Sequence, residues 1–259
     1  MRGAATQAMR CSSSRSGNEA DARPPPRLCG LRFPGPLAVL LAPGQRAWEP
    51  AAKCQVIPAH ALRGSAMKRF RKPSEIQQFL DSLKYREDAG AVSPLVVERR
   101  RVANCFDGAV YAAAALETLG FPPRIVDMEA KNDDDHLIAV YRSAGWGAIA
   151  KSNTTMLRSR EPVYRTLREL VMSYFDGYFN VDGYKSLRTY SAPLDLRRFD
   201  ALQWRTTDNP LEEVQTRLHH IRHYPLITTQ MERALARAEP IVMRACFLNS
   251  NPRGLYRPR

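Results

Sequence analysis

Paired cysteines are missing from this sequence. Its cysteines are odd in number and show neither a CxxC motif nor a regular spacing; they are Cys11, Cys29, Cys54, Cys105 and Cys246. This pattern excludes the disulfide framework of small secreted proteins and the ligand pairs of zinc fingers. Free thiols are typical of a reducing compartment, so we expect a cytoplasmic protein.

Long apolar runs and basic runs are missing as well. The longest apolar stretch, "PLAVLLAP" at 36–43, is far shorter than the ~20 residues of a membrane span, so no membrane association is expected. The net charge is +13, with 39 Lys+Arg against 26 Asp+Glu, but the excess is mostly scattered arginine. Because no basic run carries interleaved aromatics, direct nucleic-acid binding is kept only as a remote hypothesis.

The composition divides the chain into three parts. Residues 1–66 are rich in Ala, Arg, Pro and Ser, with "CSSSRSG" and "RPPPR", which is typical of disorder. Their Arg- and Ser-rich, acid-poor start loosely suits an organelle transit peptide, but we favour an overextended start before Met67. We predict a core domain over 67–195 and a helical C-terminal extension over 196–259. The oligomeric state is left open.

Hydrophobic periodicity and capping signals predict an α+β fold. A capping-box pair, Ser74 with Gln77, predicts a helix to about Leu83, and "SPLVVERR" reads as extended. Asn104 and Gly120 bound a long alanine-rich helix. The remaining predictions are strands at 124–130, 136–142 and up to 151, then helices at 162–175, 210–222 and 228–247. Helices before and after a block of strands indicate helices packed on an antiparallel sheet.

Cys105 is the first candidate for chemistry. In "RVANCFDGAV" it follows the predicted cap Asn104, so it begins a helix. Partial positive charge and free N–H groups at a helix start stabilise a thiolate, and we expect the pKa of Cys105 to lie below its ordinary value. The alternative is a small buried apolar residue.

His136 and a polar residue after the next strand can complete a triad. His136 opens the strand "HLIAVYR" and can pair with the thiol as a base. The acidic run "DDD" before it is expected to raise its pKa. The following strand ends in "AKSN", so Asn153 is the candidate for orienting the imidazole, with Ser152 and Thr154 as alternatives.

These residues carry a family resemblance. "NCFDGAVYAAAALETLGFPPRIVDMEAKNDDDHLIAVYR", followed by "GWGAIAKSN", resembles the core of the transglutaminase-like superfamily. The resemblance implies a papain-like fold in which Cys105, His136 and Asn153 form the catalytic triad. The family's third member is usually Asp, and this chain has no Asp in 143–161. A Cys–His dyad and a catalytically inactive domain therefore stay open.

The resemblance implies an acyl-transfer enzyme acting on an amide bond of a protein or peptide, by hydrolysis or amine transfer. The alternative from another class is an inactive binding module that keeps the groove. No cofactor and no metal are expected. The run "DDDH" is read as a solvated loop, and the pair His219 and His223 as surface histidines.

Overall fold

The structure is a computed structural model that describes residues 69–88 and 90–257. The predictions for residues 1–66 lie outside the described residues. The boundaries at 67 and 196 stay predictions.

Helices and short strands alternate before the main sheet and again after it. The first half contains α1 (Pro73–Asp81), β1 (Lys84–Tyr85), α2 (Pro94–Arg100), β2 (Val102–Ala103), α3 (Cys105–Thr118), β3 (Arg124–Ala130), β4 (His136–Arg142), β5 (Trp146–Ile149) and β6 (Arg160–Tyr164). The second half contains α4 (Leu167–Met172), β7 (Leu187–Ser191), β8 (Leu194–Asp195), α5 (Glu212–His220), β9 (His223–Pro225), α6 (Thr229–Arg233) and α7 (Pro240–Cys246). The described part of the chain also has 3-10 helices at Phe175–Gly177, Leu196–Leu202 and Pro252–Gly254.

Within the described residues, one seven-stranded antiparallel sheet organises the chain. Its order is β6-β5-β4-β3-β7-β9, and β8 pairs with the start of β3. The consecutive strands β3, β4, β5 and β6 are neighbours, as short connections allow between antiparallel strands. A separate parallel pair joins β1 to β2. The predicted α+β class with helices and an antiparallel sheet is confirmed.

Both faces of the sheet are covered, as β4 shows. Leu137 and Ala139 belong to the apolar cluster that contains α3. Ile138 and Val140, with the opposite parity, belong to a second cluster that contains Leu170 of α4. Successive side chains of a strand point to opposite faces, so the two clusters lie on the two sides of one sheet.

Helix α3 is fixed at its start and by close approach to the sheet. Asn104 and Asp107 form a capping box: the Asn104 side chain accepts from the Asp107 N–H at 2.9 Å, and the Asp107 carboxylate accepts from the Asn104 N–H at 3.2 Å. A Cβ at Gly108 would lie 2.2 Å from the Lys151 Cβ. Glycine at this position therefore lets α3 approach the segment after β5 closely.

Several predicted elements differ from the structure. "SPLVVERR", predicted as extended, is the helix α2, with Ser93 as its N-cap. The predicted helix over 162–175 is wrong in its first part, because Arg160–Tyr164 pairs with β5 as a strand. The predicted helix over 228–247 is two short helices, α6 and α7, since Pro240 begins the second one.

The chain beyond residue 195 belongs to the same packing arrangement. Strand β9 pairs with β7, and fully buried Trp204 joins the apolar cluster of α3. No helix in 69–88 or 90–257 is long and apolar enough to cross a membrane.

Candidate active site

Cys105 lies at the first position of α3, beside the start of β4. Its thiol is 3.8 Å from the carbonyl oxygen of Asp135, and the backbone N–H of Leu137 donates to the sulfur. These two backbone groups flank His136. The N–H of Phe106, in the first turn of α3, also faces the sulfur. The sulfur therefore lies against the strand end from which His136 projects.

The thiol of Cys105 stays protonated at neutral pH. Burial raises its pKa to about 12, and the nearby carboxylates Asp127 and Asp134 raise it further, whereas the N–H groups of Leu137 and Phe106 lower it. The expectation of a depressed pKa at the helix start is wrong. The favourable helix end is outweighed by loss of water and by negative charge across the cavity.

The imidazole of His136 is held by a backbone carbonyl. Its Nε2 lies 2.9 Å from the oxygen of Leu157, and its ring meets Tyr178 edge-on at 6.4 Å between centroids. A carbonyl oxygen only accepts, so Nε2 must carry the proton and Nδ1 keeps its lone pair. Nδ1 makes no hydrogen bond to any residue that the structure describes.

His136 is neutral at physiological pH. Burial lowers its pKa to about 4, while the Leu157 carbonyl opposes this shift. The expectation that the acidic run raises this pKa is wrong, because burial dominates and two of the three carboxylates have other partners. Asp133 accepts from the Ser186 hydroxyl at 2.6 Å, and Asp135 accepts from the Ala130 N–H at 2.8 Å.

Asn153 is not brought to His136. Its side-chain amide donates to the carbonyl of Asn251 at 2.9 Å and accepts from the N–H of the same residue at 2.8 Å. The alternatives Ser152 and Thr154 bond to each other, with 3.1 Å between their hydroxyl oxygens. In this structure the orienting position beside His136 is taken by Leu157.

Leu157 could not have been found from the sequence. It contributes a backbone oxygen, which every residue has, so no residue type marks it. Asn153 was the better candidate by type, since its side chain can accept a hydrogen bond from a ring nitrogen.

The thiol and the imidazole line one cavity of about 340 Å³. Asn153, Ser152 and Thr154 line it too. Its remaining lining is strongly acidic, with one arginine, Arg86. The acidic residues are Glu87, Asp88, Asp127, Asp133, Asp134 and Asp135. A basic protein thus presents a negative cavity.

Sequence reasoning missed Asp127, which lines the cavity, and its pairing with His223. Asp127 on β3 is 3% exposed, and its Oδ2 lies 3.6 Å from Nε2 of His223. Burial and the charge of Asp135 raise the pKa of Asp127. The expectation of a surface histidine at 223 is wrong, since β9 carries His223 to Asp127. In the sequence, Asp127 looks like any polar residue that interrupts the apolar pattern of a strand. Nothing in the pattern therefore marks it as a residue of the site.

The start of α3 is braced by buried charge. The Asp107 carboxylate, which is fully buried, pairs with the Arg86 guanidinium at 2.9 Å and accepts from the Val92 N–H at 2.9 Å. Because Asp107 also caps α3, these bonds fix the helix end that carries Cys105. Among the described residues, no group of three His, Cys, Asp or Glu side chains could hold a metal ion.

A scan of the chain against protein-family models finds no match, and a search of curated proteins finds none either.

Proposed function

We propose that the protein is a thiol acyl-transfer enzyme of transglutaminase-like type, with Cys105 as nucleophile and His136 as base. The observation that carries this proposal is that His136, whose Nε2 is bonded to the Leu157 carbonyl and leaves Nδ1 as the base, lines the same cavity as Cys105. The cysteine at a helix start, the histidine on an antiparallel strand and the family resemblance support it. The odd cysteine count supports a cytoplasmic location.

The resting pair is a thiol and a neutral imidazole, so the proton moves as the bond forms. Nδ1 of His136 takes the thiol proton while Sγ of Cys105 attacks the carbonyl carbon of an amide. The C–N bond breaks, the amine leaves with the proton from Nδ1, and a thioester remains. Water or a second amine then attacks the thioester and releases the sulfur.

Leu157 has a positioning role in this scheme. Its carbonyl holds the proton on Nε2 and so keeps Nδ1 available as the base. In a catalytic triad the side chain of an Asp or Asn orients the imidazole, whereas here the backbone oxygen of Leu157 has that role. The oxyanion of the attacked amide would be held by the backbone N–H of Cys105 at the start of α3.

Acyl transfer from a glutamine-containing protein tests this function. Casein is incubated with the full chain and hydroxylamine, and ammonia release and protein hydroxamate are measured. We expect both products with the parent chain and with Cys246→Ala, and neither with Cys105→Ala or His136→Ala. Equal activity in all four proteins, or none in the parent with any amide substrate tried, would contradict the proposal.

A second candidate is an inactive binding module that keeps the groove. The raised pKa of Cys105 favours it, because a thiol with a pKa of about 12 is a poor resting nucleophile. This candidate predicts ligand binding in the cavity without any Cys105-dependent product.

A further inference from the structure

The C-terminal segment of the chain lies on the cavity and is held by Asn153. Asn153 bonds both backbone groups of Asn251, accepting its N–H and donating to its C=O. A carboxamide that pairs with both polar groups of one residue recognises backbone and not side chain. The side chain of Asn251 adds a bond of 2.7 Å to Glu87 on the cavity wall.

From Asn251 the segment continues to the wall of the cavity. Gly254 N–H donates back to the Asn251 carbonyl at 3.1 Å, which closes a tight turn over Pro252–Gly254. Leu255 and Tyr256, which follow the turn, line the same cavity as Cys105. The end of the segment Asn251–Tyr256 therefore forms part of the wall of the candidate active site.

Gly254 fits closely between two cavity residues. A Cβ on Gly254 would lie 3.1 Å from the ring of Tyr85 and 3.2 Å from Nδ2 of Asn153. Tyr85 in turn lies close enough to Cys105 for its charge to raise the tyrosine pKa. Asn153, Tyr85 and Cys105 thus line the same cavity, with Gly254 packed against the first two.

We propose that this end of the cavity is a peptide-binding subsite with Asn153 as its backbone clamp, and that Asn251–Tyr256 is an occupant supplied by the chain itself. The ligand class is a peptide turn with glycine at its fourth position, followed by apolar residues. Incoming peptide replaces the segment. That this peptide is the substrate rests on the proposed function, whereas its binding does not.

Fluorescence anisotropy tests the subsite with a probe of known sequence. The probe is a peptide with the sequence of residues 249–256, "NSNPRGLY", labelled with fluorescein at its N-terminus and amidated. The full chain is compared with Asn251→Pro, which removes the N–H donated to Asn153. Because φ of Asn251 is −79°, proline fits this position.

The parent chain is expected to bind the probe weakly, since its own segment competes at a local concentration of about 1 mM. Asn251→Pro should bind about tenfold more tightly or better. Adding Asn153→Ala should abolish the gain, because both clamp bonds are lost, whereas adding Asn209→Ala at an exposed loop should not. A probe with alanine in place of glycine should bind more weakly.

The proposal is overturned if Asn251→Pro binds no better than the parent, or if Asn153→Ala leaves the gain intact. If Asn251→Pro does not fold, Asn251→Ala replaces it, since it removes the Glu87 bond without touching the backbone; a gain of about threefold is then expected. The acyl-transfer assay is run on the same proteins. Probe binding by Asn251→Pro without any Cys105-dependent product would retain the subsite and contradict only the proposed function.

Discussion

At the scale of single residues, one backbone oxygen decides the chemistry of His136. The Leu157 carbonyl fixes the proton on Nε2, and burial keeps the ring neutral by lowering its pKa to about 4. The same burial keeps Cys105 a thiol. Both groups are thus neutral at rest, and the charge separation of a thiolate–imidazolium pair is replaced by proton transfer during attack.

The neutral imidazole makes stability depend on pH. The unfolded chain has a histidine pKa of 6.5 and the folded chain one of about 4, so between these values the unfolded state binds more protons. Stability from His136 is present above pH 6.5 and is lost as pH falls toward 4, by about 3 kcal/mol. The free energy of unfolding of the parent minus that of His136→Gln should fall by this amount from pH 7 to pH 4 in urea titrations.

The free energy of unfolding of the parent is compared with that of His136→Gln because buried carboxyl groups change stability with pH in the opposite direction. Because the pKa values of Asp127 and Asp133 are raised in the folded state, both residues bind protons there. Their contribution to the free energy of unfolding therefore increases as pH falls. Asn209→Ala, in an exposed loop and without a titrating side chain, is the control and should show no such pH-dependent difference from the parent. A difference between the parent and His136→Gln that stays constant from pH 7 to pH 4 would contradict a buried neutral His136.

At the scale of elements, the helix that carries Cys105 and the two following strands were readable from the sequence. Asn104 as a cap and alternating β-branched residues are local signals, and the structure has α3, β3 and β4 where they were predicted. The pKa values of Cys105 and His136 were not readable, because they depend on burial and on carboxylates from other strands. The partner of Asn153 was not readable either, since Asn251 lies far along the chain.

Two errors in the element predictions have local causes. Ser93 and Pro94 are a good N-cap and first helical residue, but the apolar pair after them suggested a strand. The sequence predicts a helix from Pro162 because proline commonly starts one, whereas the edge strand Arg160–Tyr164 also tolerates proline. Tertiary pairing with β5 decides that case.

Gly108 on α3 gives the prediction at this scale. Alanine is the better helix former by about 1 kcal/mol, so helix propensity alone predicts that Gly108→Ala stabilises the protein. The close packing predicts the opposite sign, because an added Cβ would lie 2.2 Å from the Lys151 Cβ and the backbone would have to move. We expect Gly108→Ala to lower the free energy of unfolding by about 1–3 kcal/mol. Urea unfolding measures the sign, and a more stable variant would contradict the close contact of α3 with the sheet.

At the scale of the whole molecule, charge is distributed unevenly. The chain carries a net +13, yet the candidate active cavity is lined by six carboxylates and one arginine. A concave site of one sign focuses its field and attracts ions of the other sign. The net positive charge of the chain therefore does not predict the charge of the cavity that a substrate enters.

Charged thiol reagents measure this field at Cys105. A methanethiosulfonate with a trimethylammonium group should modify Cys105 at least about tenfold faster than one with a sulfonate group, relative to their rates with free cysteine. The ratio of the two modification rates should be smaller in ~1 M salt, since the Debye length is then only about 3 Å. Peptide mass spectrometry separates Cys105 from the other cysteines. A ratio of one, or a faster anionic reagent, would contradict a negative cavity.

The measurement that tests the central claim most directly is the protonation state of the His136 ring. Two-bond ¹H–¹⁵N NMR spectra of the ¹⁵N-labelled chain, with His136 assigned by its absence from His136→Gln, report each ring nitrogen separately. We expect a proton on Nε2 and a bare Nδ1 from pH 8 down to about pH 5. A proton on Nδ1, or a doubly protonated ring at pH 7, would remove the base that the proposed chemistry of Cys105 requires.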